Sequence, residues 1–439
     1  MPNITLPCDP QSEQLRWWRD LAKGDASFSQ LAAYARTHPR LPLLALDTTG
    51  SCDLTCPGMC YYNPNIALGR TPPSYDLIAA TVDEAATTLS LQTLVFAGKE
   101  PLLDAKRLFA LCDRFGPRDL RSYQVGIATN GRLIARHWDS LKDASERAAL
   151  DFLDISLDSF IPEQHDTIRG RRGTFDCAWG ALERCGDAFP NVRVGVGSVL
   201  RRDNSAGLLA LYRHASAICK HFYVVPMVPP IFSQSEAPAW TEISGFIHAL
   251  KRLLVEDLGD AGIDVMMSLL GVYLYDAVGD GAFAWHDVRE DSKGWLYVSE
   301  TLGRNRLIFH LLPLAETAWR IARINYAGDY LTNTHFLQAD DPVAVRVGNI
   351  VERPIGELYR AAISDGSLWA DVLRSRDAHE CRHMPCWTSC FGGYSVAEQQ
   401  QINGLHLTAQ PNLCKKPLTG QPGSPNLLKG TKSVFDRAT

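Results

Sequence analysis

Six short apolar runs, each followed by an amphipathic stretch, constrain this chain more than any other feature. The runs are LPLLALDT (41–48), LQTLVFAG (91–98), YQVGIAT (123–129), DFLDISLD (151–158), VRVGVGSVL (192–200) and HFYVVPMV (221–228). Helical patterns such as Tyr75–Leu89, Ala105–Phe115, Phe175–Ala188 and Ser205–Ile218 lie between them. Strands that alternate with helices predict a parallel sheet covered by helices, an α/β architecture. Six such units in series predict a partial (β/α)6 TIM-like barrel rather than the eight-stranded form.

The remaining texture sets an expected domain plan. Residues 1–40 read as a helical lead-in and 41–260 as the barrel. The stretch PMVPPIFSQSEAPAW (226–240) is expected to close the barrel's contribution, with one more helix over Thr241–Leu258. Residues 261–420 read as a less regular C-terminal domain, and 421–439, rich in Gly, Pro, Lys and Ser, as a tail. The formal charge is −5 and no basic run interleaved with aromatics occurs, so nucleic acid is not an expected partner. No apolar stretch is long enough for a membrane span, and the N-terminus carries no export pattern. A cytoplasmic location is therefore expected, and clustered cysteines then read as metal ligands rather than disulfides.

Twelve cysteines fall into two dense groups and five isolated positions. Cys52, Cys56 and Cys60 follow the first run directly, in TTGSCDLTCPGMCYY. Three thiolates on one loop can hold three irons of a [4Fe–4S] cluster and leave the fourth open for substrate. A zinc site is the alternative, although zinc prefers four closed ligands, often in paired C-x2-C elements. Cys381, Cys386, Cys390 and Cys414 form the second group, with His383 inside its loop. Either an auxiliary [4Fe–4S] cluster or a structural zinc would satisfy four thiolates. Cys8, Cys112, Cys177, Cys185 and Cys219 read as ordinary buried thiols.

Four motifs in order give these cysteines a context. The triplet is spaced C-x3-C-x3-C. The second run ends in FAGKEPLL (Phe96–Leu103), the third in ATNGRL (Ala128–Leu133) and the fourth in ISLDS (Ile155–Ser159); HDTIRGRRGTFD (His165–Asp176) follows. Each lies at the C-terminal end of a predicted strand, the face on which barrels build active sites. Together they resemble the radical S-adenosylmethionine (SAM) superfamily, whose triplet is usually C-x3-C-x2-C, one residue shorter.

The resemblance implies that SAM chelates the open iron and that a 5′-deoxyadenosyl radical is released on reduction. A flavodoxin or ferredoxin-type donor would supply the electron. GKEP corresponds to the family's GGEP element, which gives Gly98 and Glu100 the role of holding SAM's amino group. Lys99 stands where the family has a second glycine, as a contact to a carboxylate of SAM or substrate or as a solvated lysine. Thr129, Asn130, Ser156 and Asp158 are placed among the cofactor-binding residues, Ser156 and Asp158 on one face because they are two apart. Met59, where the family commonly has an aromatic residue, is read as packing near adenine or as core filling.

The stretch Ile324–Tyr359 resembles the SPASM/twitch extension of the superfamily, without the cysteine that normally follows its hairpin; Thr332, Asn333 and Thr334 stand there. One auxiliary cluster is therefore expected rather than two. The triplet spacing and single auxiliary site further resemble the radical SAM dehydratases of aminoglycoside (apramycin) biosynthesis, which act on paromamine. That resemblance implies a cationic sugar substrate, hydrogen abstraction at C4′, loss of the 3′-hydroxyl and a separate NADPH-dependent reductase for the product. Asp47, at the end of the first run, is a candidate contact or a structural carboxylate; the catalytic acid and base are not assigned. The alternative is a maturase of ribosomally made peptides, disfavoured because only about 40 residues precede the first strand, against roughly 80–100 for a small additional domain.

Overall fold

The computed structural model describes residues 28–57, 70–219, 221–227, 236–256, 262–270, 277, 280–283, 287–291, 295–312, 320–332 and 346–364. All six apolar runs form strands: β1 (Leu43–Leu46), β2 (Thr93–Phe96), β3 (Gln124–Thr129), β4 (Phe152–Ser156), β5 (Arg193–Leu200) and β6 (His221–Pro226). Each pairs in parallel with the next. The helices are α1 (Phe28–Thr37), α2 (Tyr75–Thr88), α3 (Ala105–Phe115), α4 (Trp138–Glu146), α5 (Pro162–Arg169), α6 (Thr174–Ala188), α7 (Ser205–Ala215) and α8 (Trp240–Val255).

Local chemistry sets the helix starts. The Ser74 hydroxyl accepts from the Leu77 amide at the start of α2, and the Asp104 carboxylate accepts from the Arg107 amide at the start of α3. Each satisfies an amide that the first turn leaves unpaired. Along β2, Leu94 and Phe96 are fully buried against the helices, while Thr93 and Val95 face inward to the barrel lumen. In α6, Leu182 is fully buried beneath the helix layer. Its truncation to Ala would cost about 2–5 kcal/mol, as for other close-packed core positions.

The parallel run is longer than the expected six strands. β7 (Asp264–Leu270) pairs in parallel with β6, and β10 (Asn305–Leu312) with β7. On the opposite edge β11 (Ile321–Ile324) pairs in parallel with β1. Antiparallel strands flank both ends: β9 (Leu296–Leu302) and β8 (Arg289–Glu290) beyond β10, and β12 (Asp329–Thr332) and β13 (Arg346–Asn349) beyond β11. A last helix, α9 (Ile355–Ala362), packs on α2. The Pro-rich stretch therefore does not end the barrel, and the sheet runs on past residue 260. A (β/α)6 unit leaves β1 and β6 with unpaired edges, and an open edge is satisfied by whichever later segment reaches it.

The two flanks of the sheet also meet. Trp295, just before β9, and Ile321 of β11 form one buried cluster, against which Leu43 of β1 and Val225 of β6 pack. The Arg320 guanidinium lies 5.3 Å from the Trp295 ring centroid. The segment that leads into β9 thus meets the start of β11. Among the described residues no helix is long and apolar enough to cross a membrane.

Candidate active site at the cysteine loop

Residues 51–57 leave the C-terminal end of β1 and carry the first two cysteines. Cys56 is buried, Cys52 is half-buried, and neither forms a disulfide. They cluster with Leu54, Ile168, Met227 and Val199 in an apolar cradle. The Leu54 amide donates to Cys52 Sγ at 3.5 Å. Burial, the largest effect, pushes the Cys52 thiol up to about 11, so without a metal it holds its proton. Cys56 adopts a φ of 35°, and its amide donates to the Arg169 carbonyl at 3.3 Å.

Helix α5 buttresses this loop through Gly170, in the left-handed conformation at φ 71°. A Cβ there would fall within 2.8 Å of Pro57 Cδ and against Thr55 Oγ1, so glycine serves both the turn and the close approach. Arg169 hydrogen-bonds Cys56 and forms an ion pair with Asp158, Nε to Oδ2 2.6 Å. Two uncrosslinked thiols, an amide aimed at sulfur, a neighbouring guanidinium and an apolar wall fit a thiolate-ligated iron–sulfur cluster. Cys60, the third cysteine of the triplet, and Met59 lie outside the described residues, as do Cys381, Cys386, Cys390, Cys414 and His383. Among the described residues no group of three or more His, Cys, Asp or Glu side chains could hold a metal by itself.

The GKEP and TNG segments meet beside this loop. Glu100, 1% exposed, accepts from the Thr129 hydroxyl (2.7 Å) and the Leu102 amide (3.1 Å) through Oε1, and from the Asn130 amide (2.8 Å) through Oε2. Burial pushes its carboxyl up to about 7 against those hydrogen bonds. Three donors leave Oε2 with acceptor capacity to spare. Asn130 Nδ2 donates to Asp53 Oδ1 at 2.7 Å, and Arg132 pairs with Asp53 Oδ2. Glu100, Thr129, Asn130, Asp53 and Arg132 therefore lock the ends of β2 and β3 to the cysteine loop.

Ser156 and Asp158 separate. Ser156 lines the lumen. Asp158, fully buried past the end of β4, accepts from the Val199 amide at 2.8 Å and faces Arg169. Its carboxylate accepts the Val199 amide in place of the backbone of a strand that has already ended. His165 Nδ1 accepts from the Asp158 amide (3.1 Å), and burial lowers its pKa to about 4, so it is a neutral brace at pH 7.

Asp47 is structural. Arg323 of β11 grips it, Nε to Oδ1 2.9 Å and Nε to Oδ2 3.0 Å, with a further contact from Nη2. Gly98, at φ 102°, packs on that pair; any Cβ would collide with both side chains. Lys99 is half-buried and close enough to Asp47 to oppose the upward push of burial on its carboxyl. Of the isolated thiols, Cys112, Cys185 and Cys219 are buried as expected, whereas Cys177 is exposed on α6 and Cys8 lies outside the described residues. Asp53, Arg169 and Arg323 went unrecognised in the sequence. Arg169 lies inside HDTIRGRRGTFD and Asp53 inside the cysteine motif, whereas Arg323 lies in no motif.

The comparisons agree with this geometry. Residues 47–214 match the model of the Radical SAM superfamily. Fe-coproporphyrin III synthase of Methanosarcina barkeri (strain Fusaro) is 27% identical over 203 residues, 46% of this chain and 46% of that protein. The chain thus spans about half the length of the curated relative it matches. Streptococcus suis SuiB bound to precursor peptide SuiA superposes with a TM-score of 0.62 at 13% identity, covering 88% of this chain and 79% of SuiB. The protein anSMEcpe with bound AdoMet gives 0.52 at 14% identity, covering 85% and 98%. These structures share the fold.

Proposed function

We propose that this chain is a radical SAM enzyme acting on an aminoglycoside sugar of the paromamine type. In that reading it removes hydrogen from C4′ and drives loss of the 3′-hydroxyl as water. A [4Fe–4S] cluster with SAM supplies the 5′-deoxyadenosyl radical for the hydrogen abstraction. Cys52, Cys56 and Cys60 would hold the cluster, and the spare capacity of Glu100 Oε2 would take SAM's ammonium. Leu54, Ile168 and Met227 keep water from the thiolates.

The observation that carries the small-molecule reading is the lumen. It encloses a cavity of about 400 Å³ lined by Asp154, Asp291, His221, His310, Tyr223 and Trp295. Carboxylates and aromatic faces around a confined volume suit a compact, cationic, polyhydroxylated ligand. Trp295 contributes one aromatic face to that lining. A low-potential flavodoxin or ferredoxin would supply one electron to cleave SAM and a second that, with a proton, quenches the radical left after water departs; a C-terminal cluster on Cys381, Cys386, Cys390 and Cys414 would be auxiliary, and an NADPH-dependent reductase would convert the 4′-keto product.

A second reading, maturation of a ribosomally made peptide, is favoured by one observation: SuiB shares the fold and binds a precursor peptide. One experiment separates the two. Anaerobically reconstituted, reduced protein is incubated with SAM and either C4′-deuterated paromamine or candidate peptides. The sugar reading expects deuterium in 5′-deoxyadenosine and an unlabelled product lighter than unlabelled paromamine by one water. Turnover of a peptide with paromamine untouched would replace it with the maturase.

A further inference from the structure

Buried polar atoms nearly always have a partner. Asp154 Oδ1, at the centre of β4, has none among the described residues. That oxygen is fully buried, and among the described residues the carboxylate makes no ion pair. It points into the lumen on the same face as Ser156, one pleat repeat, about 6–7 Å, further from the cysteine loop.

The surroundings explain why the carboxylate stands alone. On β5, paired beside it, the lumen-facing positions are Arg193, Gly195 and Gly197. The Arg193 guanidinium lies over the Phe152 ring, 5.3 Å from its centroid, and outside ion-pairing distance of Asp154. A Cβ at Gly195 would sit 2.9 Å from Asp154 Oδ1 and 3.0 Å from His221 Cδ2, so Asp154 and His221 converge over a strand with no side chain between them. Gly197 is the opposite case: a Cβ there would meet nothing within 4 Å. The backbone does not need glycine at that position; the empty space beside Ser156 does.

We propose that Asp154 is the anchoring carboxylate for a substrate ammonium group, and that Gly197 preserves the volume this substrate fills. The proposal rests on the reading of the lumen as the reaction chamber, and it names the recognition chemistry within it. An ammonium is favoured over an anion because the carboxylate has no hydrogen-bond or ion-pair partner among the described residues, and over a neutral hydroxyl because only a cation offsets its desolvation. Burial pushes the Asp154 carboxyl up to about 6, with Arg193 pulling the other way. His221, Tyr223, Asp291 and His310 also face this space.

The test is calorimetric binding of paromamine to the anaerobically reconstituted holoenzyme, with N-acetylated paromamine as the uncharged control. Wild type should bind paromamine. D154N should weaken binding roughly 10–100-fold, the range of a charge-assisted hydrogen bond. N-acetylated paromamine should bind wild type no better than paromamine binds D154N. Wild-type affinity should fall as pH drops below about 6, and D154N should lack that fall. Gly197→Val should abolish binding while circular dichroism and iron content stay those of wild type. Unchanged affinity in D154N, full binding by Gly197→Val, or no paromamine binding by wild type overturns the proposal. The radical reading fails separately, if reduced wild type forms no 5′-deoxyadenosine from SAM.

Discussion

Arg169 Nε lies 2.6 Å from Asp158 Oδ2, tying the last residue of α5 to the segment leaving β4, while the same guanidinium hydrogen-bonds Cys56. The pair orients one thiol of the triplet from outside the triplet. Groups that orient metal ligands in this way typically change metal affinity 10–100-fold when removed. Arg169→Gln should therefore retain less iron and sulfide after anaerobic reconstitution, and lose them faster to a chelator. Wild-type iron content and chelator resistance in the variant would show that the pair serves the fold alone.

The thiols themselves give the plainest test. Reconstituted protein should absorb broadly near about 400 nm, as thiolate-bound iron–sulfur centres do. Cys52→Ala should abolish SAM cleavage, whereas Cys381→Ala should leave part of it. Stoichiometric zinc without inorganic sulfide in anoxically purified protein would sink the cluster assignment.

Asp47 and Arg323 form a buried pair across 276 residues of sequence, joining β1 to β11. Removing one member of such a pair costs about 3–5 kcal/mol, because the other is left charged and unpartnered. Arg323→Met should thus lower the urea midpoint sharply. The double variant Asp47→Leu/Arg323→Met should recover most of the loss, as a double-mutant cycle would report. Additive losses would mean that the two side chains act independently.

Asp329, at the start of β12, is 2% exposed and accepts from Arg70, Asn325, Arg346 and Asn349. Burial pushes its carboxyl up, but the hydrogen bonds, led by Arg70, win and hold it below the ordinary 3.8. The folded state therefore binds fewer protons than the unfolded chain below about pH 4. This stabilisation is complete above the unfolded pKa and lost as pH falls through the lowered folded value. Asp329→Asn should be less stable than wild type at pH 7, and the difference should shrink toward pH 2 in denaturant titrations. A difference constant across that range would remove Asp329 from the acid response.

By itself the sequence determined the six strands, their parallel pairing and the loop that carries the cysteines, because apolar periodicity and ligand spacing are local properties of a chain. It also placed Glu100, Thr129 and Asn130 at the same end of the barrel, since each lies at or just past the C-terminal end of a strand. Tertiary structure alone decided that β7, β10 and β11 extend the parallel run, because a strand's neighbours depend on which edges remain open. It decided that Asp47 belongs to Arg323 and Asp158 to Arg169, partnerships set by sheet order rather than by spacing. It also left Asp154 alone: a lone carboxylate in an apolar run is unremarkable until the glycines beside it are seen to hold space open.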